Sequence, residues 1–305
     1  MQKRLVAPLL DGSDKMAVAK QIRWALSNAG FMYVKNHGVA QDFVDQVFDV
    51  TRHFFDLPME RKMALHVSRS DVALRGYIEP FGENTDPGKT RDLKECFDIG
   101  PERANLEGPF FGPNQWPDGF PEFQELVYGY HRKMVALSKT LLKGIALSLD
   151  LPEAHFEGLM RDPISIQRLL HYPPQPANAA PGEKGCGAHT DFGGLTLLLQ
   201  DENPGLQVWD RHSKSWIHAV PVPGTYVVNL GDMIARWTND QYRSTLHRVV
   251  NMSGRERYSV PFFFSGNPDH VVECLPTCLA PGEAPRYPAV TVEEHHREMY
   301  RRTYG

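Results

Sequence analysis

Seven short apolar runs follow one another through the second half of this 305-residue chain, at 165–172, 195–200, 206–209, 215–219, 225–230, 246–250 and 257–264. Turn signals separate them: Asn203-Pro204-Gly205, Pro223-Gly224, Asn229-Leu230-Gly231-Asp232 and Ser253-Gly254. Many short strands at such spacing predict a sandwich or barrel, the double-sheet jelly roll included. The first half reads as mostly helical. Ser13 is placed to cap a helix through Ala17, Ile22 and Leu26 that ends near Gly30, and Phe31-Met32-Tyr33-Val34 is a short strand. A second helix runs from Gln41 to Phe55, with Phe43, Val47, Val50 and Phe54 on one stripe, and stops at Pro58. Residues 66–120 are rich in Gly and Pro and read as loops over a ligand site. A long helix from Pro121 to Leu149 follows, and Thr291 to Thr303 reads as a capped, charged terminal helix. The expected fold class is α+β, a sandwich, barrel or jelly-roll core flanked by helices. Residues 1–120 supply a helical region with substrate-side loops. Residues 121–305 supply the long helix, the core and the terminal helix, the whole packing as one compact unit.

Bulk properties narrow the function. At 41% hydrophobic and 23% charged, the chain has the composition of an ordinary globular protein. A net charge of -4 gives no electrostatic reason to expect nucleic acid. No stretch approaches the roughly 20 apolar residues of a membrane span, and Met1-Gln2-Lys3-Arg4-Leu5 leads into no signal-peptide run. Cys96, Cys186, Cys274 and Cys278 are too sparse for a disulfide scaffold, so a cytoplasmic location is expected. Neither Cys274 nor Cys278 has a histidine arrangement suited to zinc, and Cys186 reads as a free thiol.

The chemistry concentrates in Gly187-Ala188-His189-Thr190-Asp191-Phe192-Gly193-Gly194. In a strand, residues i and i+2 share a face, so His189 and Asp191 are expected to grip one small object together. Their third partner is His247, returned to the same barrel end by the intervening strands. Two imidazoles and one carboxylate leave open positions on a six-coordinate metal, the ligand set of a non-haem Fe(II) oxygenase. Ten residues later Arg257 and Ser259 repeat the i, i+2 spacing in an otherwise apolar strand. A buried guanidinium needs an anion, and arginine's fork matches a carboxylate. An internal glutamate and a bound diacid are both open as that anion.

On these motifs the chain resembles the iron/2-oxoglutarate-dependent oxygenases of the isopenicillin N synthase-like family, over nearly its whole length, which implies an α+β fold with a double-stranded β-helix (jelly-roll) core flanked by helices. Ala29 to Val39, Arg75-Gly76-Tyr77 and Asp92 to Gly100 resemble the family's N-terminal region. The resemblance implies that His189, Asp191 and His247 are the catalytic iron ligands. It implies that Arg257 and Ser259 bind the distal carboxylate of 2-oxoglutarate, joined by Tyr172 in Leu170-His171-Tyr172-Pro173. Plant members commonly carry Asn where this chain has Leu170. The implied cofactors are Fe(II), 2-oxoglutarate as cosubstrate and O2, with ascorbate as a candidate reductant. The implied activity is hydroxylation or a related oxidation at a C–H bond of a small metabolite, releasing succinate and CO2.

Substrate residues are less constrained. Arg168, Leu170 and Tyr172 share a strand face, so Arg168 either meets an acidic substrate or forms a salt bridge at the barrel edge. Arg75, Tyr77 and Phe81 are candidates for a pocket mouth, and Phe192 and Phe263 for its walls. His37 and His171 read as structural, and His295-His296 is expected to face solvent. Two other readings stand beside the leading one: a same-family Fe(II) oxidase that does not consume 2-oxoglutarate, and a non-catalytic small-molecule binding protein on the same barrel. No feature points to a membrane or nucleic-acid partner, and a monomer is compatible with the sequence.

Overall fold

The computed structural model describes residues 14–72, 74–83, 85, 92–103, 110–175, 185–251 and 253–304. Helix α1 (Lys15–Asn28) is capped by Asp14, whose carboxylate accepts from the Ala17 N–H at 2.9 Å. The expected cap, Ser13, lies outside the described residues. Val18, Ile22, Ala25 and Leu26 form the buried stripe of α1. Gly30 ends it at φ 69°, where a Cβ would collide with the Arg243 carbonyl. Strand β1 (Phe31–Val34), α2 (Gln41–Phe55) and α3 (Met59–Met63) follow. In α2 the buried residues include Val47, Val50 and Phe54, with Phe43 only partly covered.

The stretch read as loops contains two strands, β2 (Gly76–Ile78) and β3 (Glu95–Ile99), before α4 (Pro121–Ser148). β4 (Ile164–Tyr172), β6 (Leu195–Gln200), β7 (Leu206–Asp210), β8 (Ser215–His218) and β9 (Tyr226–Leu230) match the apolar runs, whereas β5 (Cys186–His189) falls outside them. After α5 (Asp232–Trp237) come β10 (His247–Val249), β11 (Arg257–Gly266), β12 (Val271–Val272), β13 (Val290–Thr291) and α6 (Val292–Tyr304).

Strands β1 to β11 form a jelly roll of two antiparallel sheets, and β12 pairs with β13 in a separate two-stranded ladder. The large sheet runs β1-β9-β6-β11-β4-β3-β2 and the small one β5-β10-β7-β8. One face of the large sheet packs on the N-terminal helices through Leu197, Leu199, Val228, Val260 and Phe262. The other face turns toward the small sheet through Leu170, Tyr172, Leu198 and Val227, which meet Cys186, Leu206 and Val249. Burial on both faces explains why these strands read as near-continuous apolar runs. Among the described residues no helix is long and apolar enough to cross a membrane.

Beside β3 a buried charge cluster ties the N-terminal region to the sheet. Lys62 Nζ donates to Glu95 Oε2 at 2.8 Å and to the Phe55 carbonyl at 2.9 Å. Glu95 also accepts from the Tyr77 hydroxyl and pairs with His171 at 2.7 Å. Burial disfavours the imidazolium of His171, but Glu95 and Glu256 outweigh it and raise its pKa. The stability this charge contributes is full below about pH 6.5 and lost as pH rises through the raised value. Glu95→Ala leaves Lys62 buried without its carboxylate and is expected to cost about 3–5 kcal/mol. Urea unfolding monitored by circular dichroism checks this; an unchanged midpoint contradicts it.

Candidate active site

Strand pairing sets the first two side chains. β10 lies antiparallel to β5 with His247 opposite His189, and the ring centroids stand 4.3 Å apart. Asp191 departs from the expectation that it sits on the strand with His189. Strand β5 ends at His189, and Asp191 occupies the turn into β6. That turn is held by backbone bonds: the Asp232 N–H donates to the Asp191 carbonyl at 2.8 Å and the Gly194 N–H to the Phe264 carbonyl at 3.2 Å. Gly231 must lack a side chain here, because a Cβ would lie 2.8 Å from the Asp191 carbonyl oxygen.

The result is a compact donor set. Asp191 Oδ1 is 3.7 Å from Nε2 of both His189 and His247, and the three ligand atoms lie within 4.8 Å of one another. The opposite sides of these groups are occupied. Asp191 Oδ2 accepts from the Thr196 hydroxyl and the Asn229 amide, both at 2.6 Å. His189 Nδ1 donates to the Gly187 carbonyl at 2.9 Å and His247 Nδ1 to the Thr245 carbonyl at 3.1 Å. Each ring therefore presents a bare Nε2, and the carboxylate presents Oδ1. Burial and then His189 push the pKa of His247 down to about 4. Burial also opposes charge on His189, but Cys186 and Asp191 push its pKa up to about 9. A divalent cation requires both rings neutral, so its binding displaces a proton. Two neutral imidazoles and a carboxylate suit Fe(II). Cys186 Sγ sits 3.8 Å from His189 Nδ1, behind the ring rather than beside Nε2.

Arg257 and Tyr172 are cross-strand partners in the β11–β4 ladder, and Ser259 follows on the same face. The Arg257 guanidinium is fully buried and lies 4.9 Å over the Tyr172 ring. It donates to Gln200 Oε1 at 3.2 Å and to the Ser259 hydroxyl at 3.4 Å, while Nε has no partner among the described residues. Among the described residues no carboxylate forms an ion pair with it. The internal-glutamate alternative thus receives no support, and the donors fit a bound carboxylate. Burial and then Cys186 push Tyr172 up to about 12, so its hydroxyl stays protonated.

The cavity containing both sets measures about 220 Å³ and continues along β4 and β11 past Arg168, Ile166, Pro261 and Phe263. Arg168 is already engaged. It grips Asp98 through Nε and Nη2 at 2.8 and 2.7 Å and gives Nη1 to Glu83 at 2.8 Å. Lys94 Nζ pairs with Glu83 at 3.0 Å and Asp92 at 3.1 Å. Phe192 and Phe263 line the cavity, as do Phe110 and Tyr300. None of the three expected mouth residues, Arg75, Tyr77 and Phe81, lines it. Arg75 is buried and donates to the Leu74 and Phe110 carbonyls, and Tyr77 is buried against Glu95. His295 and His296 are also corrected: α6 packs inward, both are buried, and His296 lines the cavity. Sequence reasoning missed Glu83, Lys94, Asp98, His296 and Tyr300. The alternation Lys94, Cys96, Asp98 beside a strand was the available signal for two of them.

A jelly roll whose cavity holds a His-x-Asp…His cluster beside a buried, acid-free arginine defines a non-haem Fe(II) dioxygenase scaffold. Residues 5–119 match the family described as "non-haem dioxygenase in morphine synthesis N-terminal", and residues 163–266 match the "2OG-Fe(II) oxygenase superfamily". The chain belongs to the 2OG-Fe(II) oxygenase superfamily, in its isopenicillin N synthase-like branch, and is a 2-oxoglutarate-dependent Fe(II) dioxygenase. It is 43% identical to a 2-oxoglutarate-Fe(II) type oxidoreductase of Emericella nidulans, over 97% of this chain and 87% of that protein. It is 39% identical to a homoarginine-6-hydroxylase of Oryza sativa, over 94% and 89%. The crystal structure of a full-length Neurospora crassa protein in complex with alpha-KG and thymine superposes with a TM-score of 0.86 at 32% identity, covering 97% of this chain and 95% of that one.

The Thr196 hydroxyl, together with the Asn229 amide, engages Oδ2 of Asp191 and leaves Oδ1 free. Thr196→Val is expected to weaken divalent-cation affinity by about 10–100-fold while the fold is retained. Equilibrium metal titration with circular dichroism as the control measures this; undiminished affinity refutes the orienting role.

Proposed function

We propose that His189, Asp191 and His247 hold the iron and that Arg257, Ser259 and Tyr172 seat the distal carboxylate of 2-oxoglutarate. We propose further that the substrate is a small, uncharged, flat ring compound. Bound iron and 2-oxoglutarate supply the oxidising chemistry, in which O2 is reduced, succinate and CO2 form, and a substrate C–H bond loses hydrogen.

The chain's own residues supply placement. The carbonyls of Gly187 and Thr245 orient the imidazoles, and Thr196 and Asn229 orient Asp191. Arg257 supplies a charge whose counter-ion is the cosubstrate. Leu170, Leu198, Leu206 and Val249 line that end of the cavity and keep it dry. Tyr172 and Arg168 are four residues apart on one strand face, so the cosubstrate anchor and the substrate arginine are separated by about 13 Å.

The observation that carries the substrate reading is the neutralised arginine. Arg168 has two carboxylate partners, Asp98 and Glu83, so it offers no unbalanced charge to an acid. Three of its five N–H donors are engaged, and the others are available to a carbonyl oxygen. Phe110, Phe192, Phe263 and Tyr300 provide aromatic faces for a ring. The thymine in the Neurospora crassa complex supports the same class. A second reading has one observation in its favour. Glu83, Asp92 and Asp98 outnumber Lys94 and Arg168 by one formal charge, which suits a cationic side chain such as that of homoarginine, the compound in the names of several relatives.

Succinate release measured with neutral lactam rings, basic amino acids and aliphatic diacids separates these cases. The rings are expected to stimulate turnover most; stimulation by diacids alone sinks the substrate reading. Arg257→Met removes the charge-assisted bonds to the cosubstrate and is expected to raise its KM by about 100-fold. Steady-state kinetics varying 2-oxoglutarate checks this; an unaltered KM refutes the role given to Arg257.

A further inference from the structure

Helix α6 brings to the substrate end of the cavity a buried imidazole that none of these roles uses. Thr291 and Glu294 cap the helix reciprocally: the Glu294 N–H donates to Thr291 Oγ1 at 3.1 Å and the Thr291 N–H to Glu294 Oε2 at 2.8 Å. Just inside, His295 Nε2 donates to the Phe192 carbonyl at 2.8 Å. That bond tethers α6 to the residue following Asp191. The next residue, His296, is 7% exposed and lines the cavity with Arg168, Phe192 and Tyr300. Its ring stands edge-on to Phe110 with centroids 5.8 Å apart. Burial, with repulsion from His295, pushes its pKa down to about 3, so the ring is neutral, with one N–H donor and one acceptor nitrogen.

Among the described residues, His296 Nε2 is buried without a hydrogen-bond partner. A buried orphan polar atom destabilises a fold, so its persistence calls for a reason. Of the orphan atoms among the described residues, only Arg257 Nε and His296 Nε2 belong to residues lining the active-site cavity. The first belongs to the cosubstrate end. The second belongs to the other end, across from the spare donors of Arg168.

We propose that His296 is a substrate-binding, specificity-determining residue, whose ring hydrogen-bonds an uncharged polar group of the substrate while Arg168 holds a second one. This rests on the ring-substrate reading above. It assigns the C-terminal helix a direct part in choosing the substrate, through a bond with direction rather than through charge.

The test uses the full-length protein loaded with Fe(II) and 2-oxoglutarate in the absence of oxygen. One readout is calorimetric affinity for thymine and 2-pyridone, two uncharged rings with an amide edge. The other is the thermal midpoint without either ring. His296→Leu removes an imidazole that lacks a protein partner, so the midpoint is expected to hold or rise. Ring affinity in that variant is expected to fall about tenfold, the loss of one hydrogen bond. His296→Gln keeps a donor and an acceptor and is expected to stay within about threefold of the unsubstituted protein. A lowered midpoint in His296→Leu, or undiminished ring affinity, overturns the assignment. If neither ring binds the unsubstituted protein, the ring reading is what fails. The midpoint of His296→Leu then decides alone: a fall overturns the role of His296, and a held or raised midpoint supports it.

Discussion

The large sheet has to bury both of its faces, and most of the site follows from that constraint. Alternate residues of β6, β9 and β11 pack against helices, which fixes the opposite set toward the small sheet. Because β4 and β11 are antiparallel and in register, their inward residues stack in rows: Arg257 with Tyr172, Ser259 with Leu170, then Phe263 with Ile166. The cavity is thereby ordered along its length. A slip of one residue in this ladder would send both arginines out among the helices.

Two arginines lie on that inner face, Arg257 fully buried and Arg168 partly so, and their surroundings differ. Arg257 has amide, hydroxyl and aromatic neighbours but no acid within ion-pair distance among the described residues. Arg168 has Asp98 and Glu83. Desolvating an ion costs several kcal/mol unless a counter-charge returns it, and among the described residues Arg168 has that counter-charge while Arg257 does not. Charge is thus left uncompensated at Arg257 among the described residues and cancelled at Arg168.

Segments remote in sequence complete the cavity. β3 supplies Asp98 opposite Arg168, the stretch before it supplies Glu83 and Lys94, and α6 closes the far end with His296 and Tyr300. The His189–Asp191–His247 cluster depends on the same kind of convergence. His189 and His247 become neighbours only through β5–β10 pairing, and Asp191 joins them because its turn is clamped by Asp232 and Gly231.

By itself the sequence determined the strand grammar after residue 163, the membership of the His189–Asp191–His247 cluster and the Arg257–Ser259 pair. Short-range spacing and apolar runs carry that information, because side-chain direction along a strand is a local property. It hid β2 and β3, since the charged residues Glu95 and Asp98 interrupt the apolar pattern and are buried only because Lys62 and Arg168 arrive from elsewhere. It also turned His295 and His296 outward, since a charged helix reads as solvated until the face it packs on is known. Whether a buried charge is spent internally or left for a ligand depends on which distant strand lies alongside it. Tertiary structure alone gave Arg168 its acid partners and left Arg257 without one among the described residues, because the pairing energy of a charge acts over a few ångströms of space and takes no account of separation along the chain.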